Sequence, residues 1–351
     1  MLEIQRLACA TVAAVAGGRN LNSALAELWL RHPHLTSQQR SAITDLCYGT
    51  LRFGGQLDAL LAQLLTKPVH DEALRWLLLV ALYQLQYTRA APYAIVDHAV
   101  QCAAALAKPQ AAGLINAVLR NFLRKREALL TKAAMTDSGR FSYPQWWTDK
   151  VRKQYPRNYA DILLAGNLHP PLTLRVNRRR TTRDAYLELL TNDDIAAHAV
   201  GEHGVTLVRP VPVERLPGFA DGVVSVQDAA AQCAAPLLDA RAGMRVLDSC
   251  AAPGGKTTHL LEIADLELTA VDNDANRLSR VEQNLSRLNL NAALLSADVT
   301  NVDEWWDRTP FEHLLGDLPC PASGAVARPA SLTGYTRMSP LSHLLTPSTL
   351  F

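Results

Sequence analysis

Long apolar runs, paired cysteines and a strong net charge of either sign are all missing from this sequence. The most apolar stretch, around Leu77 to Leu82, falls far short of the roughly 20 residues that a membrane-spanning helix needs, and no cleavable signal opens the chain. A cytoplasmic location without membrane association is therefore expected. The six cysteines, Cys9, Cys47, Cys102, Cys233, Cys250 and Cys320, lie far apart, without the spacings of a zinc site or a disulfide framework, so reduced thiols are expected. His32 and His34 merely bracket Pro33, no histidine pair has convincing metal-ligand spacing, and no metal is expected. A formal net charge of +2 over 351 residues does not announce a nucleic-acid partner, so local clusters must carry any such case.

What is present is ordinary globular material. With 48% hydrophobic and 19% charged residues, the chain can build two or three domains with real cores. From the start to about Thr136, apolar residues recur at spacings of three and four, as in Leu25, Leu28, Ile43, Leu46, Leu74, Leu77, Ile115, Val118, Leu119 and Phe122, which predicts a helical bundle over 1–136. Thr36 with Gln39 fits a capping box, and Asp71 fits a second helix start. The stretch 137–222 reads as a connector followed by a small mixed α/β subdomain. It contains a short amphipathic helix through Trp146, Trp147, Val151 and Tyr155, a strand over Leu172–Asn177 and a helix over Thr182–Leu190.

Beyond Gly222 strands and helices alternate: Val223–Val226, Ala229–Leu238, Arg245–Asp248, Thr257–Ile263, Leu266–Val271, Asn276–Leu288, Ala293–Leu295, a short helix near Trp305, and His313–Leu315. Such alternation predicts a parallel sheet flanked by helices over 223–326. From 327 to 351 the chain turns Pro-, Ser- and Thr-rich and shows neither period, so an irregular tail is expected.

The chemistry concentrates at strand ends. The run Asp248 to Thr257 turns a short strand into a helix, the place in a parallel sheet where ligands bind, and its small residues let backbone approach a cofactor. It is not a phosphate-binding loop, because Cys250 stands where that motif needs glycine. It also lacks the three spaced glycines of a dinucleotide fingerprint, which disfavours a nicotinamide dehydrogenase. Asp272, Asp298 and Asp317 follow successive strands and are expected to converge on one crevice, where an acidic residue can hold a ribose diol. For any one carboxylate alone, helix capping or solvent exposure is the commoner role.

Cys320 places a thiol just past Asp317, Leu318 and Pro319. A lone cysteine is more often a buried packing residue, and Cys250 is read that way. At a ligand crevice, however, a thiol suits methylation of cytosine C5, a poor nucleophile. A thiolate adds to C6, the electron pair displaced to C5 takes the methyl group, the C5 proton leaves and the carbon–sulfur bond breaks. Arg120, Arg124, Lys125 and Arg126, then Lys150 to Arg157, then Arg175 and Arg178 with Arg179 and Arg180, form three basic clusters. Each could be a solvated face; together they suit contact with a phosphate backbone.

Gln227-Asp228-Ala229, the run Asp248 to Thr258, Ala270-Val271-Asp272 and Asp317 to Cys320 together resemble the ribosomal RNA small-subunit methyltransferase B family, also called Sun or Fmu, over a span from near the start to about Val326. The resemblance implies an N-terminal NusB-like helical domain for RNA binding, a linker subdomain, and a Rossmann-like domain using S-adenosylmethionine to methylate a cytosine of 16S ribosomal RNA, as a monomer. It implies that Cys250, Ala251, Ala252, Pro253, Gly254, Gly255 and Lys256 line the cofactor loop, that Asp272 holds the ribose and that Asp298 lies by the adenine. Asp317 would face the methyl-transfer centre, and Cys320 would be the family's first cysteine, which assists product release.

The family's attacking thiol belongs to a later Thr-Cys-Ser, and none follows Cys320 here. Leu318 replaces a usual alanine, and the usual Arg-His-Pro-Asp gives way to Ala327-Arg328-Pro329-Ala330. A reading frame lost near Val326 is therefore expected, leaving an incomplete methyltransferase sheet with an uncovered edge. The competing expectation is an inactive RNA-binding remnant.

Overall fold

The computed structural model describes residues 2–106, 108–168 and 171–318, which fall into two compact units meeting in sequence near residue 169. Cys320 and the tail 327–351 lie outside the described residues.

The first unit is helical: α1 (Leu2–Ala16), α2 (Leu21–Arg31), α3 (Ser37–Arg52), α4 (Gly54–Leu64), α5 (Glu72–Tyr87), α6 (Pro92–Ala105), α7 (Ala112–Ala133), α8 (Asp137–Phe141), α9 (Gln145–Gln154) and α10 (Tyr159–Asn167). The apolar run of the sequence becomes the axis of this bundle. Leu77, Leu78, Leu79, Val80, Ala81 and Leu82 of α5 are all buried, because a helix apolar on every side is stable only when its neighbours surround it. No helix among the described residues is long and apolar enough to cross a membrane.

Local signals act where the sequence places them. Thr36 and Gln39 form the capping box of α3, the Gln39 N–H donating to Thr36 Oγ1 and the Thr36 N–H to Gln39 Oε1 at 2.9 Å. Asp71 caps α5 by accepting from the Leu74 N–H at 3.0 Å. Gly49 of α3 sits so close to α5 that a Cβ there would fall within the Tyr83 ring.

Among the described residues, the second unit carries two four-stranded sheets. The first contains β1 (Leu172–Val176), β2 (Ala197–Val200), β3 (Gly204–Leu207) and β4 (Val224–Val226) in the order β2-β3-β1-β4, all antiparallel. Helix α11 (Arg183–Asn192) contributes Tyr186 and Leu190 to its core with Leu174, Val176, Val205, Leu207 and Val224. The strand at 224–226 therefore does not open the parallel sheet, as its place in the alternation suggested. It pairs with β1, Leu174 opposite Val226, and closes the small sheet instead. The helix expected over Ala229–Leu238 is two short pieces, α12 (Ala229–Gln232) and α13 (Ala234–Leu237), with Pro236 in the second.

The second sheet is parallel: β5 (Arg245–Asp248), β6 (Glu267–Asp272), β7 (Ala293–Ser296) and β8 (His313–Leu315), ordered β7-β6-β5-β8. Between them run α14 (Gly255–Ile263), α15 (Ala275–Leu288) and α16 (Val302–Trp305). Val246, Leu260, Leu261, Leu268, Ala270, Leu278, Val281 and Leu285 form the core. The strand order steps one way from β5 through β6 to β7 and then reverses to β8, so a switch point lies at the carboxyl end of β5, where such sheets open a crevice. Among the described residues β8 is an edge strand, and Leu314 on it is 62% exposed.

Candidate active site

The loop after β5 is shaped by its acids and one glycine. Gly254 caps α14 in the left-handed region, φ +94°, and a Cβ there would meet Val281 at 3.1 Å, so both conformation and space call for glycine. Asp272, at the end of β6, is 4% exposed and holds the loop: its Oδ2 accepts from the Ala252 N–H at 3.0 Å and its Oδ1 from the Asp274 N–H at 3.1 Å. Arg277, on the first turn of α15, donates to the Ala252 carbonyl at 2.9 Å. Two carboxylate oxygens offer about four acceptor positions, so Asp272 keeps capacity for hydroxyl donors.

Around this carboxylate the loops following β5, β6, β7 and β8 enclose a cavity of about 460 Å³. Cys250, Ala252, Asp272, Asp298 and Asp317 line it. The other residues expected at the cofactor loop stand back from its wall. Ala251 is buried behind it; Gly254 and Gly255 start α14; and Lys256 forms an ion pair with Asp317. Pro253 is exposed, its carbonyl accepting from Asn284 at 3.0 Å. Ser249, within the run singled out after β5, also lines the cavity, as do Asn273, Arg277 and Thr300, which sequence reasoning missed. Each lies within five positions of an acid that was singled out, so the end of every strand could have been read as a short segment rather than as one carboxylate.

The electrostatics separate the acids. Asp298 is held below its ordinary range by the Thr300 hydroxyl, 2.7 Å from Oδ1, and by the Thr300 N–H. Burial and three nearby acids, Asp272 first among them, push the Cys250 thiol up, so it remains protonated at neutral pH and is a poor nucleophile. Asp248 accepts from Thr257 Oγ1 at 2.7 Å, but its Oδ1 is buried without a hydrogen-bond partner, and burial pushes the group up to about 6. Its ordinary value is 3.8, so between these limits the folded chain retains a proton that the unfolded chain releases, and stability falls as pH rises through the window. Above it the cost is on the order of 3 kcal/mol. Asp248→Asn, which keeps an acceptor for Thr257, should therefore raise the melting temperature at pH 7.5 and much less at pH 4. Thermal melts at the two values check this, and equal shifts would contradict it.

The basic candidates divide. Arg120, Arg124, Lys125 and Arg126 lie exposed on α7, whose helical path is kinked at Lys125, and Arg178 is exposed after β1. In the middle cluster, Arg152 is taken up by Asp137 and Asp149. Arg175 is a correction: it is 0% exposed and cannot reach a phosphate. Its guanidinium forks onto Glu262 at 2.7 and 2.9 Å and also donates to Gln227 Oε1, the Gly255 carbonyl and Thr258 Oγ1. Gln227 completes this knot by donating to the Gly255 carbonyl at 3.3 Å, which gives the Gln227-Asp228-Ala229 motif a physical task.

Comparison with known proteins agrees with this architecture. Residues 3–124 match the NusB family, 143–214 the ferredoxin-like domain of RsmF/B-like methyltransferases, and 235–339 the 16S rRNA methyltransferase RsmB/F family. The ribosomal RNA small subunit methyltransferase B of Pseudomonas syringae pv. tomato is 45% identical over 331 residues, covering 92% of this chain and 73% of that protein. The chain belongs to the ribosomal RNA small subunit methyltransferase B family. Its member from Serratia proteamaculans is 42% identical over 332 residues, covering 93% and 76%. The chain thus spans about three quarters of these relatives' length. The crystal structure of PH0851 shares the fold of this family member, with a TM-score of 0.67 at 20% identity over 95% of this chain and 78% of that one. The family match reaches residue 339, beyond the break expected near Val326.

Proposed function

We propose that this chain serves S-adenosylmethionine-dependent methylation of 16S ribosomal RNA, with C5 of a cytosine as the accepting atom. Family membership supports the substrate class. The single structural observation that carries the reading is the cavity at the switch point, where one buried carboxylate, small loop residues and two further acids meet.

The residues fit that cofactor. Asp272, anchored by two backbone amides, would accept from the ribose hydroxyls; Ala252 and Cys250 would let the adenosine approach; Asp298 and Thr300 would offer polar contact to the adenine edge. Bound there, S-adenosylmethionine supplies an electrophilic methyl group. Asp317, paired with Lys256, lines the cavity and would face the methyl-transfer centre. The base is presented unpaired or flipped, since C5 inside a duplex is out of reach. Exposed cations of α7 and Arg178 contact the phosphate backbone.

Addition at C6 requires a thiolate. Cys250 is held protonated, and the last cysteine of the sequence is Cys320, with no Thr-Cys-Ser after it. Cys320, three positions past the cavity-lining Asp317, is the thiol we assign to the attack. The test is to incubate the full chain with unmethylated 16S ribosomal RNA and labelled cofactor, then analyse the nucleosides by mass spectrometry. Expected is 5-methylcytidine, abolished by Cys320→Ala. Cofactor and RNA binding without methyl transfer would instead mark an inactive RNA-binding remnant, and a different methylated nucleoside would remove the C5 assignment.

A further inference from the structure

Among the described residues outside the cavity, one cluster of side chains has the composition of a metal site. Glu3 lies in the first turn of α1, and His32 and His34 flank Pro33 between α2 and α3. The connection is itself a defined turn: the His32 N–H donates to the Leu28 carbonyl at 2.9 Å and the Leu35 N–H to the His32 carbonyl at 3.3 Å. Pro33 restricts the backbone between the two imidazoles. One ligand atom from each of Glu3, His32 and His34 can be chosen so that all three lie within 4.8 Å of one another. Glu3 Oε1 and His34 Nε2 are 3.2 Å apart, and the two imidazoles meet edge-on with centroids 5.7 Å apart.

We propose that Glu3, His32 and His34 bind a divalent transition-metal ion of the zinc class, pinning the start of α1 to the connection between α2 and α3. Donors about 2.0–2.1 Å from a tetrahedral zinc lie about 3.3 Å from one another. The Glu3–His34 pair already has that separation, and a ligand atom of His32 lies within 4.8 Å of one from each of the other two. Two imidazoles and one carboxylate select zinc, nickel or copper over calcium and magnesium, which take oxygen ligands. Three protein ligands leave the fourth position to water. The cluster shares no residue with the cavity, and a bound ion joins segments about thirty positions apart in sequence.

The test is a titration of the full chain, stripped of metal and kept reduced, with Co²⁺ as a spectroscopic stand-in for zinc. Thiolate ligation gives an intense charge-transfer band in the near ultraviolet, whereas imidazole and carboxylate ligation does not. Expected is binding of about one equivalent without that band, and a melting temperature raised by the metal. His32→Ala and His34→Ala should each weaken binding by about tenfold or more, and Glu3→Gln should weaken it less. The side chains of Glu3 and His34 are 40% and 59% exposed, so their variants should keep the circular dichroism spectrum of the parent. The proposal is overturned by absence of saturable binding, by binding that carries the thiolate band, or by binding unchanged in both histidine variants.

Discussion

Arg175→Ala is expected to lower the stability of the second unit by about 3–5 kcal/mol, because it takes from the buried Glu262 carboxylate the guanidinium that hydrogen-bonds both its oxygens. The ion pair is as enclosed as such a pair can be, with 0% and 1% of the two side chains exposed. Desolvation already pushes Glu262 above its ordinary range, and Arg175 is the leading influence that draws it back. Removing the guanidinium also strips donors from Gln227, Thr258 and the Gly255 carbonyl, atoms that set the first turn of α14 behind the cofactor loop. Cofactor affinity should therefore fall along with stability. Glu262→Gln should also be costly, since it leaves the buried guanidinium without its counter-charge and turns an amide NH2 against one of the two guanidinium donors. Replacing both partners by methionine should recover much of the loss, because no buried charge remains unpaired. Denaturant melts of the parent, the two single methionine variants and the double methionine variant give the coupling directly, and additive losses would show that the two side chains do not act as a pair.

Arg175 also shows where sequence reading runs out. Next to Arg178, Arg179 and Arg180 it looks like one more cation of a basic face, and nothing nearby reveals that its partner stands 87 positions later. The same limit explains β4. Three apolar residues announce a strand, but not whether its neighbour is β1 or β5, and pairing with β1 across some fifty positions decided its sheet. The alternation from β5 to β8 was legible because each strand is a short apolar run closed by an acid or a turn, a local pattern. The convergence of Asp272, Asp298 and Asp317 was legible for the same reason, since parallel strands send all their carboxyl ends to one side. Arg277 was not, because a cation in the first turn of an amphipathic helix looks like solvated surface until Ala252 is placed against it. Glu3 and the two histidines follow this rule too: the spacing of His32 and His34 says little until α1 brings a carboxylate to them.

Asp272→Ala should weaken S-adenosylmethionine binding about a hundredfold or more in an equilibrium titration. Two hydrogen bonds from ribose hydroxyls to a charged acceptor contribute roughly 1.5–3 kcal/mol each, and both are lost together. The variant also releases the Ala252 N–H, so a looser loop could by itself reduce affinity. A cofactor analogue without the ribose hydroxyls separates the two causes. If Asp272 holds the diol, the analogue binds the parent chain far more weakly than the intact cofactor does, while the Asp272→Ala chain binds both alike, because the partner of the missing hydroxyls is already gone. If Asp272 only shapes the loop, deleting the hydroxyls costs the same in both proteins. Asp272→Asn should not rescue binding: both carboxylate oxygens face backbone N–H donors, and an amide must turn its NH2 toward either Ala252 or Asp274. An asparagine chain that binds as tightly as the parent would therefore remove the charge of Asp272 from the account of the site.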